Sequence, residues 1–354
     1  MSSEKEVLFE TRGRLGLVTL NRPKALNALT LDMIGEMDPT LARWAGSDDI
    51  AAVAVMGAGD KAFCAGGDIL HIYHGRRDGR NPFGEAFFTA EYRLNRRIRR
   101  LPKPYVALMD GIVMGGGVGI AVHGSHRVVT EHTLFAMPET GIGLYPDVGS
   151  TYVLPRLPGQ LGMFLGLTGW RLKAADCLYA GLATHYVGRA DIEALLAAIV
   201  GAVAGAGEGA AIDDALGRFA QDPGRSVLED MHGDIDRCFG ASNVAEIMAA
   251  LRGLDADWAG RALAMMERAS PTSLELTFHQ LRRGATLDFE ACMTLEYRLS
   301  LACLAGHDLY EGIRAVVLAK DQAPRWQPAA LSEVMAESIE AAFAPLGEQD
   351  LRFE

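Results

Sequence analysis

Two glycine-rich loops and three carboxylates are the residues of this chain best suited to chemistry. Ala65-Gly66-Gly67-Asp68 follows one apolar run, and Gly115-Gly116-Gly117-Val118-Gly119 follows another and opens a short apolar helix. Bare N–H groups in such loops, and at the start of a helix, can approach a negative oxygen closely. Two loops that aim one donor each at the same point form an oxyanion hole, which stabilises the tetrahedral intermediate of acyl transfer. A tight turn packed on a neighbouring backbone needs the same glycines, so either loop alone is weak evidence. The second loop lacks the GxGxxG spacing of a dinucleotide site, and no GxxxxGK[ST] occurs.

Glu139 stands in Met137-Pro138-Glu139-Thr140 and Asp147 in Tyr145-Pro146-Asp147-Val148-Gly149; each follows a proline that fixes the local backbone. Read alone, Asp147 is first a charge that complements the dipole of a following helix, and a site residue second. Glu91 falls in the middle of a helical stretch, where a solvated charge beside Asn95 is the plain alternative to a site residue. Other chemistries find no support. There is no GxSxG and no HExxH. His71 and His74 stand three residues apart, as do His123 and His126, without a matching Cys or acidic cluster, so no metal site is expected. His307-Asp308 reads as a local hydrogen-bonding pair.

These residues need elements to position them. Val7–Glu10 and Leu15–Leu20 flank Arg12-Gly13-Arg14 as a hairpin. Thr30 is a fitting N-cap for a helix whose Met33, Ile34, Met37 and Leu41 recur at helical spacing. Residues 51–56, 105–109, 127–130 and 134–137 read as strands, and 86–100 as a helix ended by Pro102-Lys103-Pro104. Alternating strands and helices of this kind predict a layered α/β core. From about Gly159 the pattern is mostly helical, with breaks at Asp222-Pro223-Gly224 and Ser270-Pro271-Thr272. The Ala/Gly-rich stretch from Leu195 to Ala211 is the one linker-like composition. It places a boundary near residue 205, between a core of residues 1–205 and a mostly helical region of residues 206–354.

The 354 residues suffice for one large domain or two. A net charge of −11 is a poor basis for binding nucleic acid, which asks for a basic face. No segment is long and apolar enough to span a membrane. The five cysteines form no CxxC pair and read as free thiols. The opening residues hold neither a basic stretch leading into an apolar run nor an Arg-rich leader, which leads to the expectation of a cytoplasmic protein.

Three segments together carry a family resemblance: Leu20-Asn21-Arg22-Pro23-Lys24-Ala25-Leu26-Asn27-Ala28-Leu29, Phe63-Cys64-Ala65-Gly66-Gly67-Asp68, and Asp110-Gly111 with Gly115-Gly116-Gly117. They resemble the crotonase (enoyl-CoA hydratase/isomerase) superfamily. Phe135 to Thr140, Pro146 to Gly149, Ser270 to Leu274, Met293 to Leu299, Gly306-His307-Asp308 and Glu311 to Val316 are similar to its 3-hydroxyisobutyryl-CoA hydrolase branch. The resemblance runs from about residue 7 to the C-terminus and is weakest over residues 191–240. It implies a crotonase-like spiral of ββα units followed by a helical C-terminal region. It also implies an acyl-CoA substrate, with coenzyme A as part of the substrate and no separate cofactor.

The residue roles it implies are as follows. Gly67 and Gly116 would hold the thioester oxygen, and Glu139 and Asp147 would do the catalysis. Glu91 would meet the acyl end, and Lys24, Ala25 and Leu26 would flank the CoA nucleotide. Hydratases of the family use two glutamates, one of them two residues after the glycine triplet. Here that position is Gly119. The expected activity is therefore hydrolysis of a 3-hydroxyacyl-CoA thioester, in valine degradation. The alternatives are an enoyl-CoA hydratase or isomerase on the same fold, and a non-catalytic acyl-CoA binder. Family members tend to form trimers or pairs of trimers, unless the longer C-terminal region folds back on its own subunit.

Overall fold

The computed structural model describes residues 5–204 and 208–353. Two compact units share the chain. The first takes the chain up to Gly67, then Arg93–Phe135 and Arg171–Glu229. The second takes Asp68–Tyr92, Ala136–Trp170 and the chain from Asp230 onward. Residue 205, where composition placed a boundary, lies outside the described residues.

The first unit is built on strands β1 (Val7–Arg12), β2 (Leu15–Leu20), β3 (Ala52–Gly57), β4 (Ala62–Cys64), β5 (Tyr105–Met109), β6 (Ile112–Met114), β7 (His126–Val129), β8 (Leu134–Ala136) and β9 (His185–Tyr186). One sheet runs β1-β2-β3-β5-β7-β9 and a second β4-β6-β8. The expected hairpin pairs β1 with β2 antiparallel; β3, β5, β7 and β9 join in parallel. Each of β3, β5 and β7 is followed within a few residues by a short strand of the other sheet. That repeat is the ββ step of the expected spiral. Parallel strands covered on both faces read as unbroken apolar runs, and Tyr105–Met109 is buried throughout.

One face of the larger sheet offers Leu15, Leu17, Ala52, Ala54, Val106, Leu108 and Val128. Leu195, Leu196 and Ile199 of helix Ile192–Ala202 pack there, with Ile212 and Leu216 of helix Glu208–Phe219. The Ala/Gly-rich stretch is thus core helix at least as far as Ala202, buried through its leucines and Ile199. Helix Leu31–Ala45 starts as read: Thr30 Oγ1 accepts the Met33 N–H at 3.1 Å. Its Trp44 meets Phe9 edge to face, with centroids 6.0 Å apart.

The second unit is helical. Helix Pro82–Arg99 begins in it and passes into the first unit at Arg93. Ser270-Pro271, read as a break, starts helix Pro271–Gly284: Ser270 Oγ accepts the Ser273 N–H at 3.1 Å, and Pro271 occupies the first turn, where its missing N–H costs nothing. Helix Phe289–Ala305 follows, capped by Asp288 on the Ala291 N–H at 2.8 Å. Its buried stripe runs Cys292, Met293, Glu296, Leu299, Ser300 and Cys303. Two polar residues thus sit in an apolar face. Gly284 lies so close to the chain at Thr151 that a Cβ there would stand 2.1 Å from the Thr151 carbonyl oxygen. Only glycine lets that helix support the segment that carries Asp147.

Candidate active site

The first unit holds the glycines of both loops read from the sequence. The loop after β4 is tied down by the Ala65 N–H on Leu26 O (3.0 Å) and the Leu29 N–H on Gly66 O (2.8 Å). A Cβ on Gly66 would lie 3.9 Å from Gly116 N, so the two loops are neighbours. Gly117 locks them: a Cβ there would stand 2.1 Å from the Cys64 carbonyl oxygen. Among the described residues, neither the Gly67 nor the Gly116 N–H donates to a backbone carbonyl. Gly116 opens helix Gly116–Gly119, whose first N–H groups have no intrahelical acceptor. Two N–H groups on adjacent loops therefore have no backbone acceptor among the described residues. Lys24 and Ala25 stand exposed on the 3₁₀ turn Pro23–Ala25. Leu26, next along, joins the first loop through its carbonyl. Buried Asn27 holds this turn by donating from Nδ2 to Ala58 O (2.9 Å) and Ala62 O (2.8 Å).

The second unit gathers the carboxylates. Glu91, Glu139 and Asp147 are all buried, Glu91 being only 2% exposed. Its reading as a solvated charge is overturned: that face of the helix turns toward the other carboxylates and not toward water. Asp147 is more than a dipole charge, since its Oδ2 accepts the Tyr92 hydroxyl at 2.8 Å. A fourth carboxylate, Glu296, was missed in the sequence. It accepts the Gly149 N–H at 2.7 Å and the Thr151 N–H at 2.9 Å, pinning the backbone just after Asp147. Gln280 Nε2 adds bonds to Pro146 O (2.6 Å) and Thr151 Oγ1 (2.7 Å). Tyr92, Tyr145 and Ser300 close a hydroxyl network, with Tyr92 2.6 Å and Tyr145 2.8 Å from Ser300 Oγ; Tyr145 donates to the Glu296 carbonyl. The available signal was a Glu and a Ser four apart inside an apolar helical stripe.

No cation among the described residues counters these four acids. Burial is the first cause of every shift, and mutual repulsion adds to three of them. Burial and Asp147 hold Glu139 well above the carboxylate range. Burial, then Asp147, Glu296 and Glu139, do the same to Glu91. Burial pushes Asp147 up to about 7 against the pull of the Tyr92 hydrogen bond. Burial, with Asp147 next, pushes Glu296 to about 8 against its backbone donors. Such a cluster keeps some carboxyls protonated near neutral pH, as acid–base chemistry requires. Glu139 Oε2 and Glu91 Oε1 are buried without a hydrogen-bond partner among the described residues. Each such atom costs about 1–3 kcal/mol, a cost that a bound polar ligand would offset.

A stability test follows. Because the folded state raises these pKa values, it binds protons more tightly than the unfolded chain does. The resulting stabilisation is complete below the ordinary carboxylate range. It is lost as pH rises through about 7 for Asp147 and about 8 for Glu296. The thermal midpoint should fall from pH 6 to pH 9, and Asp147→Asn should fall less over the same range. Identical slopes for the two proteins would show that Asp147 ionises in the fold as it does in the unfolded chain.

His307 Nδ1 and Asp308 Oδ1 form the expected local pair at 3.1 Å, and Asp308 also accepts from Ser270 Oγ at 2.6 Å. Among the described residues no His/Cys/acid group has the arrangement of a metal site. All five cysteines are buried thiols outside any disulfide, and no described helix is long and apolar enough to cross a membrane.

Known proteins place these features in a family. The family model described as Enoyl-CoA hydratase/isomerase matches residues 15–343. The mitochondrial 3-hydroxyisobutyryl-CoA hydrolase of Danio rerio is 47% identical, over 99% of this chain and 93% of its own length. That of Homo sapiens is 45% identical, over 99% and 91%. Two solved structures superpose over nearly all of the chain. One is a carnitinyl-CoA dehydratase from Mycobacterium thermoresistibile (45% identity, TM-score 0.92, 99% of each chain). The other is an enoyl-CoA hydratase from Rhodobacter sphaeroides 2.4.1 (40% identity, TM-score 0.89, 99% of this chain and 100% of that one). The spiral core with a helical C-terminal region, expected from the motifs, therefore stands. The cytoplasmic expectation does not, since the hydrolase relatives are named as mitochondrial. The physical reason is that targeting is read from segments separable from the folded domain, so residues that build the fold carry no address. Matched by the family model over most of its length and by these hydrolases over nearly all of it, the chain belongs to the enoyl-CoA hydratase/isomerase (crotonase) family.

Proposed function

We infer that the protein hydrolyses 3-hydroxyacyl-CoA thioesters, and specifically converts 3-hydroxyisobutyryl-CoA to 3-hydroxyisobutyrate and CoA, a step of valine degradation. The observation that carries this reading is the pairing of two buried carboxylates, Glu139 and Asp147, with a glycine, Gly119, where the hydratase pattern has its other glutamate. Adding water to an alkene needs a base for the water and an acid for the α-carbon on one face. Cleaving a thioester needs an oxyanion hole and one activated oxygen nucleophile.

In this reading the N–H groups of Gly67 and Gly116 take the thioester oxygen as it becomes negative. Desolvated Glu139, a stronger base than a carboxylate in water, acts on the carbonyl carbon. It either attacks directly, giving an anhydride that water opens, or takes a proton from the attacking water. The C–S bond breaks, the thiolate leaves with a proton, and Asp147 shuttles that proton and positions the water or the substrate hydroxyl. The unpaired Glu91 oxygen suits the hydroxyl of the acyl group. Lys24, Ala25 and Leu26 flank the nucleotide. No cofactor is needed beyond the coenzyme A of the substrate. A trimer or hexamer is expected from the resemblance, and sedimentation reads it.

The similar structures named as a dehydratase and a hydratase keep a second reading open, that of water addition to an enoyl-CoA. A non-catalytic acyl-CoA binder is disfavoured, because unpaired buried carboxylates are a cost that binding alone does not require. Thiol release separates the three. It should be fast from (S)-3-hydroxyisobutyryl-CoA and at least about a hundredfold slower from isobutyryl-CoA, because a site built to pair a hydroxyl leaves polar groups unpaired when the hydroxyl is missing. Crotonyl-CoA should keep its enoyl absorbance. Rapid hydration of crotonyl-CoA with no thiol release from any 3-hydroxyacyl-CoA would replace this reading with the second.

A further inference from the structure

We propose that Tyr92 is a positioning residue for Asp147, holding its carboxyl in one orientation and setting the pH at which it exchanges a proton. The proposal rests on the reading of Asp147 as the proton-shuttling group. Its evidence is the hydroxyl network beneath that group.

The proton assignments in the network follow from what each atom can do. A backbone carbonyl only accepts, so Tyr145 spends its one O–H on the Glu296 carbonyl. An ionised carboxylate also only accepts, so Tyr92 spends its O–H on Asp147 Oδ2, 2.8 Å away. Ser300, 2.6 Å from Tyr92 and 2.8 Å from Tyr145, has one proton for one of the two phenol oxygens. Given to Tyr92, it polarises that phenol and strengthens its donation to Asp147. Tyr92 is fully buried, and its O–H cannot go to another acceptor without breaking its bond to Asp147.

The groups facing Asp147 offer nothing else to stabilise its charge. Glu91 shares the Tyr92 helix, Glu139 stands on the turn Glu139–Ile142, and Glu296 and Cys303 face it from helix Phe289–Ala305. Tyr145, on its own segment, is turned to a carbonyl, and Gln280 is neutral and bonds the backbone at Pro146. Among the described residues, the Tyr92 phenol is, apart from the Asp147 backbone, the one donor acting on the carboxylate. Without it, only the backbone hydrogen bond would oppose burial at Asp147, and its proton would come off at higher pH. Phenylalanine keeps the ring and its packing and removes only the donor.

The experiment is the kcat–pH profile of Tyr92→Phe on 3-hydroxyisobutyryl-CoA. We expect kcat to fall roughly tenfold to a hundredfold, the scale of one hydrogen bond to a charged group, with KM within about threefold. The limb of the profile that belongs to Asp147 should move upward by about one pH unit. Ser300→Ala, which leaves the Tyr92–Asp147 bond in place, should move the same limb in the same direction by less, and it serves if Tyr92→Phe does not fold. Asp147→Asn in parallel separates the two claims. If it cleaves normally, the assignment of Asp147 falls. If it is inactive while both hydroxyl variants keep the wild-type profile, Tyr92 is only a packing residue and the proposal is overturned.

Discussion

Glu139→Gln should lose thioester cleavage by about a thousandfold or more, since an amide is neither a nucleophile nor a base for water. CoA binding should be nearly unchanged, because the substitution keeps the shape of the side chain. The less obvious part concerns stability. In most sites, replacing a buried carboxylate with an amide breaks an ion pair and destabilises the fold. Here burial and Asp147 hold Glu139 well above the carboxylate range, and no cation among the described residues is paired with it. Burial and Asp147 shift the wild-type side chain toward its neutral form, so Gln, neutral at every pH, removes no favourable charge pairing. The thermal midpoint should stay within roughly 3 °C of wild type at neutral pH and should exceed it at pH 9, where the wild type carries more repelling charge. Activity by thiol release and the midpoint by calorimetry, on one preparation, check both. Near-normal cleavage would remove Glu139 from the chemistry. A large loss of stability at pH 7 would mean that the resting carboxyl is charged and paired.

Gly117→Ala should be damaging although Gly117 is not expected to touch the substrate. Its Cβ would stand 2.1 Å from the Cys64 carbonyl oxygen, and a backbone atom cannot swing aside as the tip of a side chain can. The loops after β4 and β6 must then separate. Two oxyanion donors work only when both reach one point, and losing one costs roughly 10²–10³ in rate. A kcat loss on that scale is expected, with a stability loss of about 1–3 kcal/mol from overpacking. Gly141 is the control, because a Cβ there meets nothing within 4 Å. Gly141→Ala should fold as wild type does. If Gly117→Ala kept full kcat, the loops would not be coupled through this contact.

The parts legible in the sequence were those whose signal is local. The hairpin at Gly13, the Thr30 cap and the strand at 105–109 follow from turn chemistry, capping and apolar runs within a few residues. The glycine loops were legible as close approaches of backbone to backbone, which is what Gly117 makes against Cys64. What escaped was set by contacts distant in the sequence. Glu91 has the spacing of a surface charge, and only the packing of its helix near residues 139–147 buries it. Glu296 looks like an ordinary helical glutamate, and its role depends on a backbone turn 147 residues before it. Ser270-Pro271 was legible as a discontinuity but not as the start of a helix, because Pro after Ser marks both.

The interleaving of the two units along the chain bears on how the protein emerges from the ribosome. The first unit is not complete until Glu229 has been made, and the second needs the chain beyond Asp230 as well as segments made far earlier. Residues 68–92 and 136–170 must therefore wait, unpartnered, while the helices they belong with are still being synthesised. They include Phe87, Phe88, Phe164 and Leu165, all buried in the finished protein. Domains that occupy one continuous stretch can fold in order of synthesis. This arrangement forbids that for the carboxylate half, whose folding must follow release of the C-terminal helices. Such a nascent chain exposes apolar surface for longer than its length alone would imply, and so places a heavier demand on chaperones.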